Sequence, residues 1–374
     1  HALVCPQGHC TIEQAHACRH RSCPRCAEGS RRAWADAQLA KLLPCPHFHV
    51  VFTVPHELLA LWEFNRECFT QALFDAVRQT LLQMLGDPRH LGATPGLLLA
   101  LHTWGRNLSH HPHVHALVTA GGWSSERGWV ATRAGWLLPV KPLRRLYAGK
   151  LLAALRAALD DSALALPPSL PRAHCAALLA RLYRKNWNIE IGAPHESGRG
   201  VALYLARYAK GGPLPAGRPL HVERGGAQVR FEYTDHRDAR TKSLTLGAPE
   251  FVARILWHAP PKGIHCVRHA GLYATAARGH HRAAAIALTL PNAPAVKPDT
   301  QRPAALQPAP PPRCPQCACP LQRVRIKACP RKDQISRPVS AGLGVRPDRA
   351  PTPSGLGTTC RSNGPPTAGR EASS

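Results

Sequence analysis

Acidic residues are scarce in this chain: 22 Asp and Glu stand against 48 Lys and Arg in 374 residues, for a formal charge of +26. A surplus of that size exceeds what solubility asks for and points to a polyanionic partner. Long apolar runs are absent too. No stretch reaches the roughly 18 residues of a membrane span, and His1-Ala2-Leu3-Val4-Cys5 lacks the charged-then-apolar order of a secretory leader. A cytoplasmic protein without membrane contact is expected. Because His1 stands where an initiator Met would be, the sequence is expected to lack some N-terminal residues. No Phe, Trp or Tyr follows Tyr273, and 17 of the 37 prolines lie in the last 84 residues. Such a composition buries too little apolar surface to offset chain entropy, so 276–374 is expected to be a mostly disordered tail. Internal repeats of 20–50 residues, the mark of solenoids, are also missing. Three blocks remain: a basic, cysteine-rich head over 1–33, a globular block over 34–275 holding all eight Trp, and the tail.

Fourteen cysteines are present, distributed unevenly: five in the first 26 residues, five in the last 61, four between. Clustering with C-x-x-C spacing in a chain without a leader favours metal over disulfides. Cys18, Cys23 and Cys26 form a C-x4-C-x2-C run, and Cys5, His9 and Cys10 lie close enough upstream to complete a tetrahedral Zn²⁺ site. Four of Cys5, Cys10, Cys18, Cys23 and Cys26, or three with His9, are the expected ligands. Interleaved Arg19, Arg21, Arg25, Arg31 and Arg32 suit the head to a phosphate backbone as well. Cys314 and Cys317 repeat the C-x-x-C spacing far downstream, either as a second knuckle or through chance composition.

His47 to Pro55 alternates as a half-buried strand does, with Phe48, Val50, Phe52 and Val54 on one face and His47 and His49 on the other. Residues 57–85 carry Leu58, Leu61, Trp62, Phe69, Leu73, Val77, Leu81 and Leu85 at helical spacing and read as core-facing helix. The run His113-Val114-His115-Ala116-Leu117-Val118 alternates again, sending His113 and His115 the same way, about 6–7 Å apart along a strand. Two imidazoles so placed can grip one divalent cation. If the two strands share a sheet, His49 comes to lie beside them as the expected third ligand. Val201 to Lys210 is made of good helix formers stopped by Gly211-Gly212-Pro213. It puts Tyr204 and Tyr208 at i, i+4 on one face, where they are either packing residues or paired nucleophiles. Arg207 and Lys210 beside them can hold phosphates.

Taken in this order, S-C-P-R-C at the end of the head, P-H-F-H-V-V-F-T-V-P, L-H-T-W-G at 101–105, H-H-P-H-V-H and Y-L-A-R-Y-A-K-G-G-P resemble the two-tyrosine HUH transposases of the insertion-sequence ninety-one family. Weaker echoes run from Phe231-Glu232-Tyr233 to Arg268-His269-Ala270-Gly271-Leu272. The resemblance covers roughly residues 5–275. It departs at Gly8, where the family pattern puts a second Cys and where His9 or Cys10 is the substitute. The resemblance implies an α+β fold: an HUH nuclease core with a central antiparallel sheet flanked by helices, plus a small zinc-binding head. It implies Mg²⁺ or Mn²⁺ at His113 and His115, attack on single-stranded DNA by Tyr204 or Tyr208, a 5′-phosphotyrosine link and rolling-circle-like DNA transposition. A rolling-circle replication initiator and a non-catalytic DNA-binding relic are the alternatives.

Overall fold

The computed structural model describes residues 2–13, 20, 23, 26–209, 211–214, 218–223, 225–235, 238–261, 263–290 and 312–324, with the side chains of 13 and 207–209 left out. In chain order the elements are β1 (Ala2–Val4), β2 (Thr11–Glu13), α1 (Ala27–Leu39), β3 (His47–Thr53), α2 (Leu59–Phe64), α3 (Arg66–Gly86), β4 (Thr94–Trp104), β5 (His110–Ser124) and β6 (Gly128–Ala131). There follow α4 (Val140–Asp160), α5 (Arg172–Leu182), β7 (Ile189–Ile191), α6 (Arg199–Ala209), β8 (Leu220–Val222), β9 (Gln228–Thr234) and β10 (Thr241–Gly247). The last are α7 (Ala248–Trp257), β11 (Val267–Gly271), α8 (Arg278–Thr289) and β12 (Gln322–Val324).

The alternation of β3 and β5 is realised as expected. They pair antiparallel in a sheet ordered β11-β4-β5-β3-β7, with β6 added to the far end of β5. One face carries Phe48, Val50, Phe52, Leu97, Leu99, Leu101, Val114, Ala116 and Val118. It packs on α3, α4 and α5 as the principal core, with Phe69, Leu73, Leu81, Leu151 and Leu155 all fully buried. Removing any one of these large side chains leaves a cavity worth roughly 2–5 kcal/mol. The other face is covered by α1 and α6: Val201 and Leu205 pack with Leu98, Ala100 and Leu117, and Trp34 and Leu42 close the edge. A sheet buried on both sides explains why Leu97 to Leu101 is continuously apolar where β3 and β5 alternate.

A second, smaller sheet, β10-β9-β8, packs against α7 around Phe231, Val229, Leu246 and Phe251, and Leu108 from the β4–β5 connection seats in the same cluster. The third sheet, β12-β1-β2, belongs to the head. Folded structure continues past residue 275: α8 buries Ala284 and Leu288 against Leu43, Cys45 and Leu272, and 312–324 returns to pair β12 with β1. Small Ala and Leu side chains at i, i+4 are enough for α8 to dock without aromatics. Among the described residues no helix is long and apolar enough to cross a membrane.

Candidate active site

Register builds the site. In the β4–β5 pairing His102 stands opposite His113 and Ala100 opposite His115, while β3 places Val51 opposite His115 and His49 opposite Leu117. Side chains two apart share a face, so His49, His102, His113 and His115 all project toward α6. A register shift between His102 and Trp104 re-aims the end of β4 beside them. One ring nitrogen each from His102, His113 and His115 lies within 4.8 Å of the others, and all three residues are buried. His113 donates its Nδ1–H to the carbonyl of His111 at 2.5 Å, which leaves the lone pair of the neutral ring on Nε2. His115 Nδ1 shares a 2.7 Å hydrogen bond with His49 Nε2.

Burial keeps these imidazoles neutral. It lowers His113 to about 3 and His49 to about 4, with neighbouring histidines adding to the effect, and pushes His102 and His115 well below the ordinary histidine range. Neutral imidazole is the metal-binding form, so the trio needs no deprotonation to take a divalent ion. His49, expected as the third ligand, is instead the hydrogen-bond partner of His115, and His102 supplies the third clustered nitrogen. His102 was missed because it ends a run of apolar residues and reads as a core histidine. Its place in L-H-T-W-G, on the strand next to H-V-H, was the available signal.

Tyr204 completes the group. Its ring lies 5.7 Å from that of His115, 5.8 Å from His49 and 6.3 Å from His102. It is 36% exposed, on a helix whose other face is core. Helix α6 reaches its place because Val201 and Leu205, one turn apart, are buried against the sheet. Tyr208 and Arg207 lie on the same helix, but their side chains fall outside the described set, as does all of Lys210. The cluster opens into a cleft of about 620 Å³ whose lining includes Arg31, Trp104, Arg106, Arg218 and Tyr233. Arg31, named from sequence, thus faces the cleft; Arg32 is half-buried on α1 and does not line it. Arg19, Arg21 and Arg25 lie outside the described residues.

In the head, Cys5 and His9 come within 4.8 Å of Cys314 and Cys317, the distant C-x-x-C pair. Cys23 and Cys26, expected to share a site with Cys5, lie at the start of α1, where the carbonyl of Cys23 accepts the N–H of Ala27 at 3.0 Å, and are not part of this group. Cys18 lies outside the described residues.

Residues 96–281 match the family described as "Putative transposase", and residues 1–54 match the "Transposase zinc-binding domain". The chain is 37% identical over 278 residues to "Putative transposase y4qJ" of Sinorhizobium fredii (strain NBRC 101917 / NGR234), covering 72% of this chain and 69% of that one. The chain belongs to the insertion-sequence ninety-one family of transposases. This transposase is also similar to "Transposase for insertion sequence element IS801" of Pseudomonas savastanoi pv. phaseolicola, at 32% identity over 275 residues, 71% of this chain and 63% of the relative. The region matched to the "Putative transposase" family begins in β4 and ends in α8. It therefore holds the histidine trio and Tyr204 but excludes His49.

Proposed function

We propose that this transposase nicks and rejoins single-stranded DNA through a tyrosyl-phosphate intermediate formed at Tyr204, with Tyr208 as the second nucleophile. The observation that carries the reading is the seating of a half-exposed tyrosine against three clustered, neutral imidazoles inside an arginine-bearing cleft. His102, His113 and His115 are the residues that would hold Mg²⁺ or Mn²⁺. Bound there, the ion would neutralise charge on the scissile phosphate. A donor set of imidazoles without a carboxylate suits Mn²⁺ better than Mg²⁺, which prefers oxygen.

The protein's own groups do the rest. Arg31, Arg106 and Arg218 hold backbone phosphates along the cleft, and Trp104 and Tyr233 offer ring faces on which unpaired bases can stack. In a duplex the bases stack on one another and leave no face free for these rings, which favours a single strand as substrate. The Tyr204 oxygen bonds to phosphorus as the phenolic proton departs, and the O3′ leaves as a free 3′-hydroxyl, so the 5′ end stays on the protein. Positions i and i+4 are separated by about 6 Å along the axis and 40° around it, so the two phenols act in turn rather than together. The link conserves the phosphodiester bond energy, and rejoining needs no ATP.

End-labelled single-stranded DNA trapped on Tyr204→Phe, Tyr208→Phe and the double variant tests this. Loss of the covalent adduct in the double variant is expected, and an adduct that persists there rules the tyrosine mechanism out.

A further inference from the structure

Cys5 and His9, near the start of the chain, are met by residues more than 300 positions away. Cys5-Pro6-Gln7-Gly8-His9-Cys10 and Cys314-Pro315-Gln316-Cys317-Ala318-Cys319 spell the same C-P-Q-x-x-C twice. They fold alike: the N–H of Cys5 donates to the carbonyl of Cys10, and the N–H of Cys314 to that of Cys319, both at 2.9 Å. Each turn contains one left-handed residue, Gly8 at φ 76° and Ala318 at φ 56°. The two turns face each other. Cys5 Sγ lies 3.5 Å from Cys317 Sγ and 3.8 Å from His9 Nδ1, and β1 and β12 pair alongside through Leu3 and Arg323.

We infer that the two turns jointly hold one Zn²⁺, bound by Cys5, His9, Cys314 and Cys317. Zn–S bonds of about 2.3 Å in a tetrahedron set sulfur atoms ~3.8 Å apart, and Zn–N of about 2.0 Å sets sulfur and nitrogen ~3.5 Å apart. The Cys5–Cys317 and Cys5–His9 spacings are those of such a site to within about 0.3 Å, all four ligand atoms lie within 4.8 Å of one another, and Cys10 Sγ, 3.6 Å from Cys314 Sγ, is the rival to His9 as fourth donor. Where the second turn places Cys317, the first has Gly8, and the longer reach of His9 from the next position supplies the missing donor. The surroundings ask for a staple. Three strands of three residues bury little besides Leu3, Leu321 and the cysteines themselves, too small a core to stand without a metal or a crosslink. The matched zinc-binding region ends at residue 54, so half of this ligand set lies outside it. The site ties the N-terminal head to a C-terminal segment. Cys23 and Cys26 are not part of it.

The test uses the purified full chain, kept reduced. Zinc content is measured in the wild type and in Cys314→Ser/Cys317→Ser; the variant is expected to bind one equivalent less. Thiol alkylation of the unaltered protein, mapped by peptide mass, removes any dependence on that variant's folding. With zinc bound, Cys5, Cys314 and Cys317 should label slowly, and a chelator should release all three together. His9→Ala is expected to lower zinc affinity, with Cys10→Ser leaving it unchanged. Equal zinc content in wild type and variant, or Cys314 and Cys317 labelling at the rate of free thiols in the zinc-loaded chain, overturns the inference. A loss of affinity in Cys10→Ser rather than His9→Ala overturns the choice of fourth ligand.

Discussion

Single residues divide the labour around His115. His102 and His49 both approach it, His102 with ring centroids 3.9 Å apart and His49 through a 2.7 Å hydrogen bond. The two are expected to fail differently on substitution. His102→Ala removes a proposed ligand and should abolish Mn²⁺ binding and Mn²⁺-dependent nicking. His49→Gln removes only the group that orients His115, and losses of that kind run to 10–100-fold in metal affinity. Titration of the two variants with Mn²⁺, followed by nicking of a labelled single strand, separates the roles. Wild-type metal binding by His102→Ala, or complete loss in His49→Gln, reverses the assignment. Sequence exposed His113 and His115 because their alternation is a local signal. His102 needed knowledge of which strand lies next to β5, and that is settled by pairing between strands.

Elements are joined near this site by a further buried histidine, His47. His47 opens β3, donates Nδ1–H to the carbonyl of Cys45 at 2.8 Å and accepts the Tyr273 hydroxyl at Nε2 at 2.6 Å; the same hydroxyl oxygen accepts the N–H of Leu43. That chain of bonds fastens the start of β3 to the segment following β11. Burial holds His47 near 4, and only the neutral ring can accept from the tyrosine. The folded state therefore binds fewer protons than the unfolded one between about pH 4 and 6.5. Stability is present in full above 6.5 and lost as pH falls through that window, by on the order of 3 kcal/mol for this group. Urea melts from pH 7 to 4 should show the fall, with a shallower one in His47→Gln. A His47→Gln curve parallel to the wild type's rules out His47 as its source. The sheet was legible at β3 and β5, where one apolar face alternates with one polar face. β4 and α8 were not: a strand apolar on both faces has no period, and an Ala-rich helix has too little side chain to announce its docking.

At the scale of the whole molecule, the excess of positive charge acts at a distance and the cleft acts by contact, and salt distinguishes them. Each phosphate contact to a single strand contributes about −0.7 to the slope of log K against log salt. Arg106→Ala is expected to lower that slope by about that amount. Trp104→Ala should leave the slope unchanged and cost roughly 1–3 kcal/mol of binding through lost stacking. Fluorescence anisotropy with a labelled oligonucleotide at several salt concentrations reads both; a slope change with Trp104→Ala, or none with Arg106→Ala, contradicts the placement of DNA in the cleft. The convergence of Cys5 and Cys317, 312 residues apart, carries a consequence in time. A ribosome adds about 5–20 residues per second, so the first knuckle waits roughly 15–60 seconds for its partner to be synthesised. The catalytic sheet between them can form during that interval. Closure of the proposed zinc centre then comes late in assembly, and a chain cut short before Cys314 never completes it.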